Sequence, residues 1–275
     1  MYARQKQAGM LAMLRILGAS LKEVYCMRIV INHLTRMQPG YICVAGLDPQ
    51  TREHIRPVLR GRLTRTLLRV EGGPFDIGAL VDLGETTGEG VAPEVEDHAF
   101  TPWMASHLRD FEPLPFWSLL LAAAHRRLAV IFGPELRQTG ATCTLDAGKG
   151  LASLGCLIPT GRPRLVPSEH GIRMHFNDGD MSVTASVTDL RLYEDDQKTP
   201  RWKALTDLNA RIARGIPVIL SVGVSREWMK PGEEVARHWL QVNGVHLGDK
   251  PVWRHVEIER TQQPFPLGSL DELPF

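Results

Sequence analysis

The sequence predicts a mostly β fold of the α+β class, with two small β barrels or sandwiches in tandem and a few inserted helices. Short apolar runs with alternating polar residues recur along the chain, separated by turns rich in Gly, Pro and Asp. Helical periodicity is confined to a few segments that do not alternate with the strands, which disfavours a doubly wound sheet. The length of 275 residues is about twice that of an ordinary domain, so two units are expected.

The first 26 residues are predicted to form a helical appendage. Between Ala8 and Tyr25, apolar residues recur every three or four positions, as in an amphipathic helix. The β pattern starts only at Met27, so residues 1–26 are either an added helix or the product of an upstream start codon. Arg15 interrupts the apolar run and no small-residue cleavage site follows, which argues against a secretion signal.

Residues 27–135 are predicted to form the first barrel with a helical insertion. Its strands are expected at Arg28–Asn32, Tyr41–Gly46 and His54–Val58. The segment Pro115–Phe132 is rich in Leu and Ala and is stopped by Gly133 and Pro134, which predicts one helix in the core.

Residues 136–258 are predicted to form the second barrel, followed by a loose C-terminal tail over 259–275. A helix is expected at Arg201–Arg214, where Leu205, Leu208 and Ile212 are spaced for one buried face. Strands are expected at Cys143–Leu145, Leu154–Ile158, Arg164–Val166, Ile172–Phe176, Ser182–Tyr193, Pro217–Gly223 and His238–Leu247.

Composition excludes several classes of protein. The 32 Lys and Arg balance 31 Asp and Glu, so the chain as a whole is not basic. Pro113–His125, the longest uncharged apolar stretch, is too short to cross a bilayer, and no membrane association is expected. The cysteines form no C-x-x-C pair and the histidines give no zinc spacing, so we expect free thiols, a cytoplasmic location and no metal or other cofactor. The four cysteines are Cys26, Cys43, Cys143 and Cys156.

Motifs for catalysis are missing from the sequence, so we expect no catalytic residues. There is no serine-hydrolase elbow, phosphate-binding loop, zinc-protease motif or dinucleotide-binding fingerprint. The enzymatic alternative is a metal-dependent nuclease, in which Asp178, Asp180 and Asp196 would hold Mg²⁺ and Lys198 would assist the attacking water. A solvated turn accounts better for the polar run around Asp196.

Charge is strongly segregated in the first half of the chain. Thr51–Val70 holds six arginines and one acid, whereas Glu71–Asp97 holds eight acids and no Lys or Arg. The two blocks either neutralise each other or are solvated, or else the arginines line a groove that contacts phosphates. In the last case the binding residues are Arg52, Arg56, Arg60, Arg62 and Arg65.

The C-terminal half supplies residues suited to contact bases. Single-stranded nucleic acids are commonly held by stacking on aromatic or guanidinium planes, with amides reading base edges. Each tryptophan taken singly is better explained as part of the core; the residue types taken together raise the binding interpretation modestly. Strand alternation places Trp239 with Gln241 and Asn243, and His238 on the opposite face. The candidates are Arg226, Trp228, His238, Trp239, Gln241 and Asn243.

Several of these segments resemble a known family. Arg28–Ile31, Gly40–Asp48 and His54–Val58 resemble the opening of the prokaryotic dual OB-containing domain, and Leu220–Arg226 and His238–Val242 extend the likeness more faintly. The resemblance covers about Met27 to Val256 and implies two OB-like β barrels, a role in conflict or defence systems and no established catalytic residues. It carries over Arg56 and Pro57; the sequence departs from the family pattern at His54, where tryptophan is expected.

Together these observations predict a non-catalytic nucleic-acid sensor of a prokaryotic defence system. DNA and RNA are both open as partners, with single strands favoured, and other proteins of a defence operon are further candidate partners. The prediction requires that the arginines lie together on one concave wall and are not cancelled by the following carboxylates. If they are scattered or paired, the alternative is a protein-interaction scaffold that uses the two charge blocks to dock within a larger assembly.

Overall fold

The computed structural model describes residues 26–230, 232, 234–255 and 257. This part of the chain is mostly β and forms two curled sheets, which confirms the predicted class. The predicted helix ahead of Cys26 and the predicted tail after residue 258 lie outside the described residues.

Within the described residues, eight strands form the first sheet. They are Cys26–Arg36 (β1), Tyr41–Leu47 (β2), His54–Val58 (β3), Leu63–Thr64 (β4), Ala79–Glu85 (β5), Thr87–Gly88 (β6), Asp97–Ala99 (β7) and Ser106–Asp110 (β8). Their order across the sheet is β6-β7-β3-β2-β1-β5-β8, and β4 pairs with β2. Neighbours are antiparallel except β3 and β7, which run parallel.

The second sheet contains nine strands of the described chain. They are Ala124–His125 (β9), Arg137–Thr139 (β10), Thr142–Asp146 (β11), Leu154–Leu157 (β12), Thr160–Ser168 (β13), Gly171–Asn177 (β14), Ser182–Val187 (β15), Val218–Val224 (β16) and Arg237–Leu247 (β17). The order is β13-β14-β15-β17-β16-β12-β9, and the hairpin of β10 and β11 joins it through β17.

Three α-helices in the described chain connect these strands: Pro113–Ala123 (α1), Leu128–Phe132 (α2) and Trp202–Ala213 (α3). Short 3₁₀ turns lie at Arg65–Leu67, Arg69–Glu71, Pro102–Met104 and Leu190–Leu192. The position of α3 confirms the predicted helix. None of the helices in the described ranges is long and apolar enough to cross a bilayer.

The prediction of one helix from Pro115 to Phe132 is wrong. The chain becomes extended at Ala124, because β9 pairs in parallel with β12. A new helix then starts where the Leu128 N–H donates to the buried Asp178 carboxylate, 3.1 Å away. Helical propensity in this segment is therefore overridden by tertiary contacts.

The described chain has two apolar cores, one built mainly under the first sheet and one under the second. The first core also takes in Cys156 of β12 and Ile219 of β16. Helix α1 packs on the first core through Phe116 and Leu120, whereas α2 packs on the second through Leu128 and Ile131. The chain thus passes from the first core to the second between α1 and α2. The predicted domain boundaries at residues 26, 135 and 258 stay predictions.

A β-bulge in β1 joins the two sheets. The register with β2 skips from Ile31 to His33, which leaves Asn32 unpaired in the ladder. The Asn32 side chain donates to Ser221 Oγ of β16 at 3.3 Å, and Ser221 Oγ donates back to the Asn32 carbonyl at 2.9 Å. These buried polar contacts fix β1 against the second sheet.

Candidate functional site

A cleft with a volume of about 730 Å³ lies between the two sheets. Strands β1, β2 and β3 provide one wall, and β17 and the loop after β16 provide the other. The walls therefore come from segments of the chain that are far apart in sequence, and only the packing of the two sheets brings them together.

Four arginines line this cleft: Arg36, Arg56, Arg62 and Arg226. Arg36 ends β1, Arg56 lies within β3, Arg62 precedes β4 and Arg226 follows β16. Among the lining residues that the structure describes, Glu227 is the one acidic side chain. The lining is therefore positively charged.

Asp97 holds two of the arginines side by side. It lies next to Arg56 in the parallel pairing of β3 with β7, and its Oδ1 is 2.5 Å from Arg56 Nε. Its other oxygen, Oδ2, is 2.5 Å from a terminal nitrogen of Arg226, and Glu94 lies 3.5 Å from the same guanidinium. The two acids orient these two cations and formally balance their charge.

Arg36 and Arg62 are held by neutral groups. One terminal nitrogen of Arg36 donates to the Gln197 carbonyl at 2.8 Å, and its guanidinium lies 4.0 Å from the centre of the Tyr193 ring. Arg62 donates to the Gln38 side chain and lies 5.3 Å from the centre of the Tyr41 ring. Within the described part of the chain, neither guanidinium has a carboxylate at ion-pair distance, so both keep their charge available to a ligand.

The prediction that the arginine block forms one concave wall is wrong. Arg52 lines a separate cleft of about 890 Å³, Arg60 is exposed outside both clefts, and Arg65 donates to the Asp195 carbonyl at 3.0 Å. The turn after β3 and the 3₁₀ turns that follow direct successive arginines to different surfaces. Of the predicted arginines, Arg56, Arg62 and Arg226 share the cleft, and Arg56 and Arg226 are paired with Asp97 there. The arginine block therefore fails the condition set for nucleic-acid binding, and any such role has to rest on the different set of arginines that lines the cleft.

Trp228, Gln241 and Asn243 line the second wall. The Trp228 side chain is 53% exposed and packs edge-on against Trp239, with ring centres 6.3 Å apart. Asn243 lies beside Gly223, where a Cβ would come within 2.5 Å of its amide nitrogen, so a larger residue at position 223 would displace the Asn243 side chain. Three of the predicted base-contacting residues thus face the predicted arginines.

His238 and Trp239 do not line the cleft. His238 is buried, and its Nδ1 lies 2.9 Å from the Ser225 carbonyl. Trp239 is partly buried behind Trp228, with Lys230 Nζ 5.9 Å from its ring centre. Both residues lie behind the loop that carries Trp228 and support it, but neither contributes to the surface of the cleft.

Sequence reasoning missed the floor of the cleft, which includes His33, Thr35 and Cys43. Thr35 and Cys43 lie opposite each other on β1 and β2. Burial, with smaller effects from His54 and His246, holds the pKa of His33 well below its usual value, so this ring is neutral. Burial also raises the pKa of Cys43. The available signal was the cluster Asn32, His33 and Thr35 inside an otherwise apolar strand.

The carboxylates of the nuclease alternative are engaged in hydrogen bonds or in an ion pair, which Asp180 makes with Arg127 at 3.3 Å. Asp178 accepts hydrogen bonds from the N–H groups of Leu128, Asp180 and Met181. Asp196 accepts from Thr199 and Lys198, and the Thr199 hydroxyl is the main cause that lowers its pKa to about 2. Among the described residues, no group of three or more His, Cys, Asp or Glu side chains is placed to hold a metal ion.

Comparison of the chain with protein-family models, with curated proteins and with solved structures finds no match. The functional argument therefore rests on the chemistry of the cleft.

Proposed function

We propose that this protein binds nucleic acid, with single strands favoured, in the cleft between its two sheets and without catalysis of its own. The observation that carries the proposal is the meeting of four arginines with Trp228, Gln241 and Asn243 in one cleft. Guanidinium groups contact phosphates, an exposed indole stacks on a base, and amides read base edges.

The depth of each group supports this assignment of roles. Arg62 and Trp228 are exposed at the mouth of the cleft, and the Arg226 side chain is 54% exposed. A nucleic-acid backbone passing over the mouth can reach these groups without opening the fold. Arg56 is 5% exposed and can contact only a ligand group that enters the cleft.

We further propose that the two sheets are OB-type barrels in tandem and that the chain is a dual OB-containing protein of a prokaryotic defence system. Two curled sheets of comparable size are compatible with this architecture. Arg56 and Pro57, which the family resemblance carries over, both line the cleft. OB barrels bind oligonucleotides on a sheet face flanked by loops. The cleft is likewise lined by strands β1, β2 and β3 and by the loop after β16.

The proposal is tested by titrating single-stranded oligonucleotides at several salt concentrations. Changing Arg62→Gln and Arg226→Gln together removes two phosphate contacts, so the slope of log K against log salt should fall by about 1.4 for a single strand. A matched control changes Arg164→Gln and Arg214→Gln, which are exposed and lie outside the cleft. Binding that ignores salt, or that responds equally to both pairs, would contradict the proposal.

A second candidate function, a protein-interaction scaffold, is favoured by a different observation. Trp103 is 87% exposed and lies near β8, which among the described strands pairs with β5 alone. A large exposed indole beside a sheet edge is suited to contact another protein. Co-purification of a partner that is lost in Trp103→Ser, with no retention of oligonucleotide by the wild type, would favour this function.

A further inference from the structure

The floor of the cleft carries buried polar atoms with no hydrogen-bond partner in the described part of the chain. They are both ring nitrogens of His33, the Thr35 hydroxyl and one terminal nitrogen of Arg56. His33, Thr35 and Arg56 are 1%, 7% and 5% exposed, respectively. Buried polar groups in folded proteins are nearly always paired with protein groups or with ordered water. These atoms on one cleft floor therefore take partners from outside the chain, and a ligand that replaces water there has to match their hydrogen-bonding pattern.

These atoms belong to one face of the first sheet. His33 and Thr35 are two residues apart on β1, so their side chains share a face. His33 lies opposite Ala45 on β2. The pairing of Gly46 with Ile55 places Arg56 beside Ala45 on β3. The unpaired atoms therefore come from three adjacent strands and converge on the same part of the cleft.

The donors and acceptors on this floor are mixed. A neutral histidine ring has one donor and one acceptor, a threonine hydroxyl can act as both, and the guanidinium nitrogen is a donor. A phosphate offers acceptors only, so it leaves the histidine acceptor unpaired. The carboxylate of Asp97, bound to Arg56, also repels an anion at this depth. A nucleobase edge carries neighbouring donors and acceptors without net charge and fits this set.

We infer that the floor formed by His33, Thr35 and Arg56 takes a single nucleobase, while its phosphate stays at the mouth beside Arg62 and Arg226. This inference rests on the proposed function and adds base selectivity to it. A base within a strand and the base of a free nucleotide offer the same hydrogen-bonding edge. The test below separates these two ligands.

The test compares three ligands by isothermal titration: nucleoside monophosphates, single-stranded homopolymers of each base, and an abasic strand of the same length. One homopolymer should bind at least about fivefold more tightly than the other homopolymers, as expected for one or two base-specific hydrogen bonds, whereas the abasic strand also loses stacking on Trp228. Thr35→Val should remove most of this preference among the homopolymers. The matched control is Thr160→Val, which is exposed on β13.

Thr35→Val replaces an unpaired hydroxyl with a methyl of the same shape, so its melting temperature should equal or exceed that of the wild type. His33→Leu, which also removes unpaired nitrogens, provides a second variant with the same expected loss of base preference.

Each outcome decides the inference. Equal affinities for all the homopolymers, or an unchanged base preference in Thr35→Val, overturn it while leaving phosphate binding in the cleft intact. If no strand binds but one monophosphate binds, and Thr35→Val weakens that binding, the nucleobase site on the floor is supported. The proposed binding of single-stranded nucleic acid is then wrong. If no strand and no monophosphate binds, both are overturned.

Discussion

At the scale of single residues, Asp97 determines the geometry of the cleft. It contacts Arg56 of the first sheet and Arg226, which follows β16 of the second sheet. Both guanidinium groups contact the same carboxylate, and without it the two positive charges would repel each other. Asp97 also compensates the charge of Arg56, which is almost fully buried.

Removal of Asp97 should therefore destabilise the protein far more than removal of Arg226. Asp97→Ala leaves the Arg56 charge uncompensated in a buried position and should lower the free energy of unfolding by about 3–5 kcal/mol. Arg226→Gln removes a half-exposed partner and should cost less than about 1 kcal/mol. Urea unfolding measures both. Similar losses for the two variants would show that Asp97 is not the structural centre of the cleft.

At the scale of elements, the sequence predicts most strands but not how they meet. The apolar pattern located β2, β3, β16 and β17 within a few residues. Strand β17 alternates in its first half, whereas β16 is a continuous apolar run that is buried along its whole length. Alternation also placed Gln241 and Asn243 on a common wall. Periodicity identifies the buried face of a strand but carries no information about which strand packs against it.

The errors have the same origin. The helix from Pro115 to Phe132 is interrupted because Ala124 pairs with β12, a contact over more than 30 residues that local propensity does not encode. The arginine block is split because a turn after β3 changes the direction of the chain, whereas Arg36 and Arg226 join the cleft from elsewhere. The floor was missed because buried polar residues in a strand resemble a satisfied core.

The elements around the cleft should respond together when a ligand binds. An oligonucleotide that lies across the mouth should slow amide hydrogen exchange in peptides covering 36–43, 59–63 and 225–230, since all three segments contribute lining residues. The hairpin of β13 and β14 lies outside the cleft and should exchange at an unchanged rate. Mass spectrometry of exchange with and without oligonucleotide gives the comparison. Slowing confined to the β13 and β14 hairpin would place the ligand elsewhere.

At the scale of the whole molecule, buried histidines make stability depend on pH. Burial is the main cause that lowers the pKa of His54 to about 4 and that of His246 to about 3. In the unfolded chain these rings titrate near the usual value of about 6.5. The stability that each neutral histidine gives the folded state is therefore fully present above about pH 6.5. It is lost as the pH falls toward the lowered pKa values.

The free energy of unfolding should consequently fall between pH 6 and pH 5, by about 1.4 kcal/mol per pH unit for each such histidine. Urea unfolding at pH 7, 6 and 5 measures this slope. His246→Gln keeps a polar side chain but removes one titrating group, so its slope should be smaller by about 1.4 kcal/mol per pH unit. Equal stability of the wild type at pH 7 and pH 5 would contradict the account of neutral buried histidines.

The central claim, that nucleic acid occupies the cleft between the two sheets, is tested most directly by photochemical cross-linking. A single-stranded oligonucleotide with a photoreactive pyrimidine would be bound, irradiated and digested, and the modified peptides identified by mass spectrometry. The account predicts adducts on Trp228 and on the peptide that carries Gln241, reduced in the Arg62→Gln, Arg226→Gln protein and unaffected in the Arg164→Gln, Arg214→Gln control. Adducts confined to surfaces outside the cleft, or equal yields in both variants, would contradict it.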